Sequence, residues 1–207
     1  NGGSFTAIDE NEIDAALFSR QDLTINGSGS LTVTSPTGHG IVCKDDLIVT
    51  GGSCTIHSAS HGIDANDSVR IGGGTLTVDA GKDAIHAENA DDTTLGYVYI
   101  SSGTLSLEAE GDGISAEAYM HLAGGSLNVL TGGGSENSAK DHSDSYGDFM
   151  GGGMGGRPGG PGGRPRSTVT VTDTTDESTS MKGLKVTGGL LFSSGDYTIN
   201  SAGDSIH

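Results

Sequence analysis

The chain has no tryptophan, and tyrosine and phenylalanine together supply only nine of its 207 residues. A broad indole platform for a flat ligand is therefore not its design. Basic residues are also few: ten Lys and Arg stand against 27 Asp and Glu, a net charge of −17. Phosphate backbones are held by basic stripes, so no nucleic acid partner is expected. No run is long and apolar enough to cross a bilayer, so no membrane span is expected in this piece. No signal peptide is visible. The chain opens at Asn1 without a methionine and stops at His207 inside a recurring motif, which reads as a fragment of a longer protein. Motifs of hydrolases, zinc proteases, nucleotide-binding loops and redox CxxC pairs are all absent. No catalytic residue is assigned.

What the chain has is glycine and repetition. Glycine supplies 37 residues, well above the usual ~7%, without a collagen triplet. The clearest unit is Ser68 to Ile85, SVRIGGGTLTVDAGKDAI. Ile71, Leu76, Val78 and Ile85 recur as Val49, Cys54, Ile56 and Ile63 one copy earlier. One copy later they are Ile100, Leu105, Leu107 and Ile114, and at the end Phe192, Tyr197, Ile199 and Ile206. The closing residues Ile41, Ile63 and Ile85 fall 22 apart, and Ile114 follows after 29. Apolar and polar residues alternate inside each copy, the period of half-buried strands. A fixed period of this length marks stacked repeats.

The expected fold is all-β: a parallel β-helix, or solenoid, of ~22-residue coils with three short strands each, stacked ~4.8 Å apart. A β-sandwich built from hairpins is the runner-up. The expected organisation is a single domain over 1–207, with a flexible Gly/Pro-rich insertion at one corner over 131–179. A short strand is expected within it at Ser167–Thr172. Cys43 and Cys54 fall on different inward columns, and buried free thiols are the first reading.

Stacking turns the repeat into columns. Two residues before the closing position stand His39, His61, Asp83, Asp112, Lys182 and Asp204. One residue after it stand Val42, Asp64, His86, Ser115, Lys185 and His207, and three after it Lys44, Asn66, Glu88 and Glu117. Carboxylates this close repel unless neutralised, and calcium takes six to eight oxygens. Asp64, Asn66, Asp83, Glu88, Asp112 and Glu117 are the candidate calcium ligands. The competing reading makes them turn caps that accept backbone N–H groups. His61, His86 and Lys82, near the same corner, are candidate contacts for an anionic sugar. Tyr97 and Tyr119 share an outward column, as a platform for sugar rings or as ordinary cross-strand stacking.

The phrases DAALFSRQDLTINGSGSLTV, GHGIVCKDDLIVTGG, GKDAIHAEN and GDGISAEAYMHLAGGSLNV carry a resemblance. Over roughly Ala15 to Val129 and Leu184 to His207 the chain resembles extracellular bacterial carbohydrate-binding domains. These have a right-handed parallel β-helix related in shape to pectate lyases. The Asp-Gly-Ile corner of that family matches Asp112-Gly113-Ile114 and, in part, Asp83-Ala84-Ile85, with His39 and His61 in place of Asp in two copies. The resemblance implies calcium-dependent binding of an acidic plant polysaccharide such as polygalacturonate, and of cellulose, without catalysis. It implies an extracellular or cell-surface setting, and a monomer is expected. The alternatives are a calcium-dependent polysaccharide (pectate) lyase, with Lys82, Lys182 or Lys185 as base, and a structural stalk or adhesin.

Overall fold

A computed structural model describes residues 13–138 and 180–207. The insertion's central part, including the strand expected at Ser167–Thr172, lies outside the described residues. In chain order the strands are β1 (Ala15–Ser19), β2 (Leu23–Ile25), β3 (Ser30–Ser35), β4 (His39–Cys43), β5 (Asp46–Val49), β6 (Ser53–Ser58), β7 (Ile63–Ala65) and β8 (Ser68–Ala80). There follow β9 (Ile85–Ala87), β10 (Tyr97–Ala109), β11 (Ile114–Ala116), β12 (Tyr119–Leu122), β13 (Ser126–Thr131), β14 (Leu184–Val186), β15 (Gly189–Phe192) and β16 (Asp196–Ser201). One short 3-10 turn covers Ser135–Asn137.

The right-handed parallel β-helix expected from the repeat, with its three-walled solenoid coils, is corrected by the sheet topology. The strands form two sheets, in a sandwich-like arrangement around one core. One sheet has six strands in the order β1-β4-β7-β9-β11-β14. The other has ten. It contains one row β2-β5-β8-β10-β12-β15 and a second row β3-β6-β8-β10-β13-β16. The two rows are one sheet because β8 and β10 each run through 13 residues where the glycines promised a corner. The pairing of β8 with β10 is irregular around Ser102, so the strand bends as at a bulge without leaving the sheet. The hairpins of the runner-up are not there either: every strand pairing described is parallel.

The register follows the hydrophobic pattern, because a one-residue slip would turn every apolar side chain outward. Ile41 pairs with Ile63, Ile63 with Ile85, Ile85 with Ile114, and Ile114 with Leu184. Opposite them, Ile56, Val78, Leu107, Val129 and Ile199 are neighbours in register on the ten-stranded sheet. Both sets pack into one core cluster. Cys43 and Cys54 are buried and free, and burial raises both thiol pKa values. At the bend Gly74 holds φ +86°, where an added Cβ would also lie 2.8 Å from the Gly52 carbonyl oxygen. Only glycine takes that backbone without strain.

Candidate functional site

The outward side of the six-stranded sheet and its adjoining turns bring the histidines and acids together. In-register strands put Asp64 beside His86, and the His86 Nδ1 lies 3.0 Å from the Asp64 carboxylate. The other ring nitrogen is 3.3 Å from Glu88. Burial alone would lower the His86 pKa, but the Asp64 hydrogen bond and charge outweigh it and raise it. The same pair acts on Asp64: burial would raise its pKa, and His86 brings it down. The three imidazoles of His39, His61 and His86 form a continuous stack, with centroids 5.1 and 4.6 Å apart. His61 sits in the middle. Burial and the neighbouring His86 push its pKa down to about 3. Its Nδ1 accepts the Asp83 backbone N–H at 3.3 Å.

Asp83 and Asp112 face the turns. The Asp83 carboxylate accepts the Asp112 N–H at 2.7 Å. Asp112 in turn accepts the Lys182 N–H at 2.8 Å and lies 3.3 Å from the Lys185 ammonium. Burial raises the Asp83 pKa, with the Asp112 N–H acting against it. These two acids therefore cap successive turns, as the competing reading of the columns held. Glu117 accepts the Thr187 hydroxyl at 3.1 Å. The Asn66 N–H goes to the Cys43 carbonyl, and Lys82 is exposed. Asp64, Asn66, Asp83, Glu88, Asp112 and Glu117 are spread along that side of the sheet, and no three acids among them form a metal-sized group. Among the described residues, the carboxylates that do converge are Asp22, Asp45 and Asp46, with ligand atoms within 4.8 Å of one another. Their oxygens are the hard donors calcium takes, although Asp46 is also held by Arg70 at 2.6 Å and by the Ser68 hydroxyl. Sequence reading missed this group. Its signal was there, since Asp22 and Asp46 each precede a leucine of the pair Leu23 and Leu47.

The outer face of the ten-stranded sheet carries the aromatic residues. Tyr97 of β10 and Tyr119 of β12 stack with centroids 4.7 Å apart and planes 5° from parallel. Next to them Tyr99 and His121 stand at 5.2 Å in a tilted pair. The His121 ring is fixed by the Ser193 hydroxyl at 2.8 Å. Arg70 pairs in register with Tyr99 and adds a cation to the face. Tyr119 is exposed, and partial burial beside Tyr97 raises its phenol pKa. Parallel strands thus present stacked rings, a guanidinium and one imidazole on one surface. This is the chemistry of a surface that holds sugars: apolar ring faces for C–H groups and polar groups for hydroxyls.

Comparison with known proteins agrees with that class. A model of the family described as carbohydrate-binding domain-containing protein matches residues 1–207, and the chain belongs to that family. A carbohydrate-binding domain-containing protein of Acetivibrio thermocellus is 43% identical over 47 residues, 23% of this chain and 16% of that protein. A solved structure, described as the polysaccharide lyase-like protein from C. thermocellum in a gadolinium derivative, is similar with a TM-score of 0.64 and 26% identity. The likeness covers 93% of this chain and 60% of the solved one. The chain therefore spans less than two thirds of either relative. No helix among the described residues is long and apolar enough to cross a membrane.

Proposed function

We propose that this chain is a non-catalytic polysaccharide-binding module. Its ligand is an acidic plant cell-wall polymer such as polygalacturonate, held with the help of calcium, outside the cell or at its surface. The protein acts as a monomer. The observation that carries the reading is the parallel, face-to-face Tyr97–Tyr119 stack on an open sheet face, in a chain of a carbohydrate-binding family. Aromatic faces attract the C–H faces of sugars, and the outer faces and edges of this stack stand on two adjacent strands of the sheet.

The calcium part rests on charge. A protein of net charge −17 repels a polyuronate, and a divalent cation between two carboxylates removes that repulsion. The Asp22, Asp45 and Asp46 group offers the donors for such an ion.

The second reading is a lyase, favoured by the description of the solved relative as polysaccharide lyase-like. Against it, Lys185 is paired with Asp112, and the Lys182 ammonium donates to Ser180 at 3.0 Å. Lys82 remains as a base. Two assays separate the readings. Retention on insoluble polygalacturonate with calcium, and release by excess EDTA, are expected of the binding module. A rise in absorbance from unsaturated uronide, with calcium present, would overturn the non-catalytic reading. Unchanged retention in EDTA would remove calcium from it.

A further inference from the structure

The tyrosine stack on the ten-stranded sheet stops one strand short of β15. Tyr119 pairs in register with Gly189, so the next place in the column after Tyr97 and Tyr119 holds no side chain. Several glycines of this chain are forced by crowding. The neighbouring Gly188 is one, because an added Cβ would run into the Ala118 carbonyl. Gly189 is different: a Cβ there would meet nothing within 4 Å. The glycine therefore leaves open space beside the Tyr119 side chain, which is 42% exposed. Leu191, 54% exposed, stands in the adjoining column beside His121. On the chain side of the gap, two residues before Tyr119 and Gly189, lies the hydrogen-bonded pair Glu117 and Thr187.

We infer that this gap is a pyranose subsite: one sugar ring of the bound chain takes the place that a third tyrosine would fill. The inference rests on the polysaccharide-binding reading and specifies where a ring is seated. Tyr119 receives the apolar C–H face of the sugar, because the ring face of an aromatic is electron-rich and C–H groups are its natural partners. Leu191 covers the apolar edge. Glu117 and Thr187 offer oxygens to ring hydroxyls at the other end. The stack spacing of 4.7 Å between Tyr97 and Tyr119 sets the repeat, and a pyranose is thin enough to continue it.

The test is to fill the gap. Gly189→Tyr adds the missing ring, and the open surroundings let the sheet keep its backbone. Gly189→Ala is the control that adds only a methyl. Wild type and both variants are titrated by calorimetry with hexagalacturonate in calcium and, separately, with cellohexaose, with a melting curve on each protein. The expected result is a Kd at least roughly tenfold weaker for G189Y, with G189A within about twofold and all three melting alike. Leu191→Ala, on an exposed side chain, reads the same slot without filling it and should weaken binding severalfold. Wild-type binding that G189Y and Leu191→Ala leave unchanged would overturn the subsite while the polysaccharide reading stood. Wild type that binds neither oligosaccharide nor their polymers would overturn both.

Discussion

A substitution in the core tests how the two sheets fit each other. Just before the closing isoleucine or leucine the chain has Gly40, Gly62, Ala84, Gly113 and Gly183. A Cβ on each of the four glycines would collide with a β-branched side chain of the facing sheet: Ile56, Val78, Val129 and Ile199 respectively. The exception is Ala84, and the residue in the corresponding place across the core is Leu107, in register with Val78. Leucine branches one carbon later, which leaves room for the alanine methyl. Gly62→Ala therefore forces a methyl against Val78 and within 2.6 Å of the Ala84 carbonyl oxygen. Unstrained contacts of carbon atoms lie at about 3.5–4.0 Å, so something must move. Overpacking of this kind costs about 1–3 kcal/mol. For a domain of this size that lowers Tm by about 2–4 °C per kcal/mol. Val78→Leu alone adds a methylene to a buried site and should cost about 1–3 kcal/mol. The double variant copies the Ala84 and Leu107 layer and should be less destabilised than the sum of the singles, by about 0.5 kcal/mol or more. Rescue is partial because the carbonyl contact stays. Urea titrations of the four proteins measure the cycle. A neutral Gly62→Ala, or strictly additive singles, would refute the fit of glycine to β-branched neighbour.

Three further outcomes follow from the edge and the core. Acidification from pH 6.5 should destabilise the fold through His61. Its folded pKa of about 3 lies below its ordinary 6.5, so its contribution is complete above 6.5 and is lost as pH falls towards 3. His86 works the other way: its raised pKa gives stability below 6.5 that is lost as pH rises through the folded value. The urea midpoint at pH 7.5 minus that at pH 5 should therefore be shifted downward in His61→Gln relative to wild type, because the opposing His86 contribution stays. Asp112→Ala strips a capped N–H and leaves Lys185 without its buried carboxylate. A loss of about 1–3 kcal/mol is expected, read by the same urea titration. A thiol reagent should find neither Cys43 nor Cys54 in the folded protein and both after denaturation, and rapid labelling of the native protein would contradict their burial.

Much of the register was legible because side-chain period and repeat agree. The columns Ile41, Ile63, Ile85, Ile114 and Cys43, Ala65, Ala87, Ala116 are strand partners in the structure. Tyr97 and Tyr119 stack as their shared column required. The number of sheets was not legible. A Gly-Gly-Gly run reads as a corner, but at Gly72–Gly74 it bends a strand that keeps its hydrogen bonds, and two expected walls become one sheet. The His61–His86 contact was missed for another reason. The two residues belong to different columns, and their rings meet through side-chain rotation that column counting does not contain. Asp22 escaped because the longer turns of the first copy shift its spacing, so that it meets Asp46 at 24 residues rather than 22. Gly189 escaped because a glycine that makes space looks, in sequence, like one that makes a turn.

The most direct measurement is affinity electrophoresis in gels cast with and without polygalacturonate, in calcium and in EDTA, of wild type and Tyr97→Ala/Tyr119→Ala. Retardation of wild type in calcium, lost in EDTA and lost in the double variant, is the result expected. Equal retardation of the double variant would show that the tyrosine face does not hold the polymer. Free migration of wild type in every gel would contradict the binding of polygalacturonate itself.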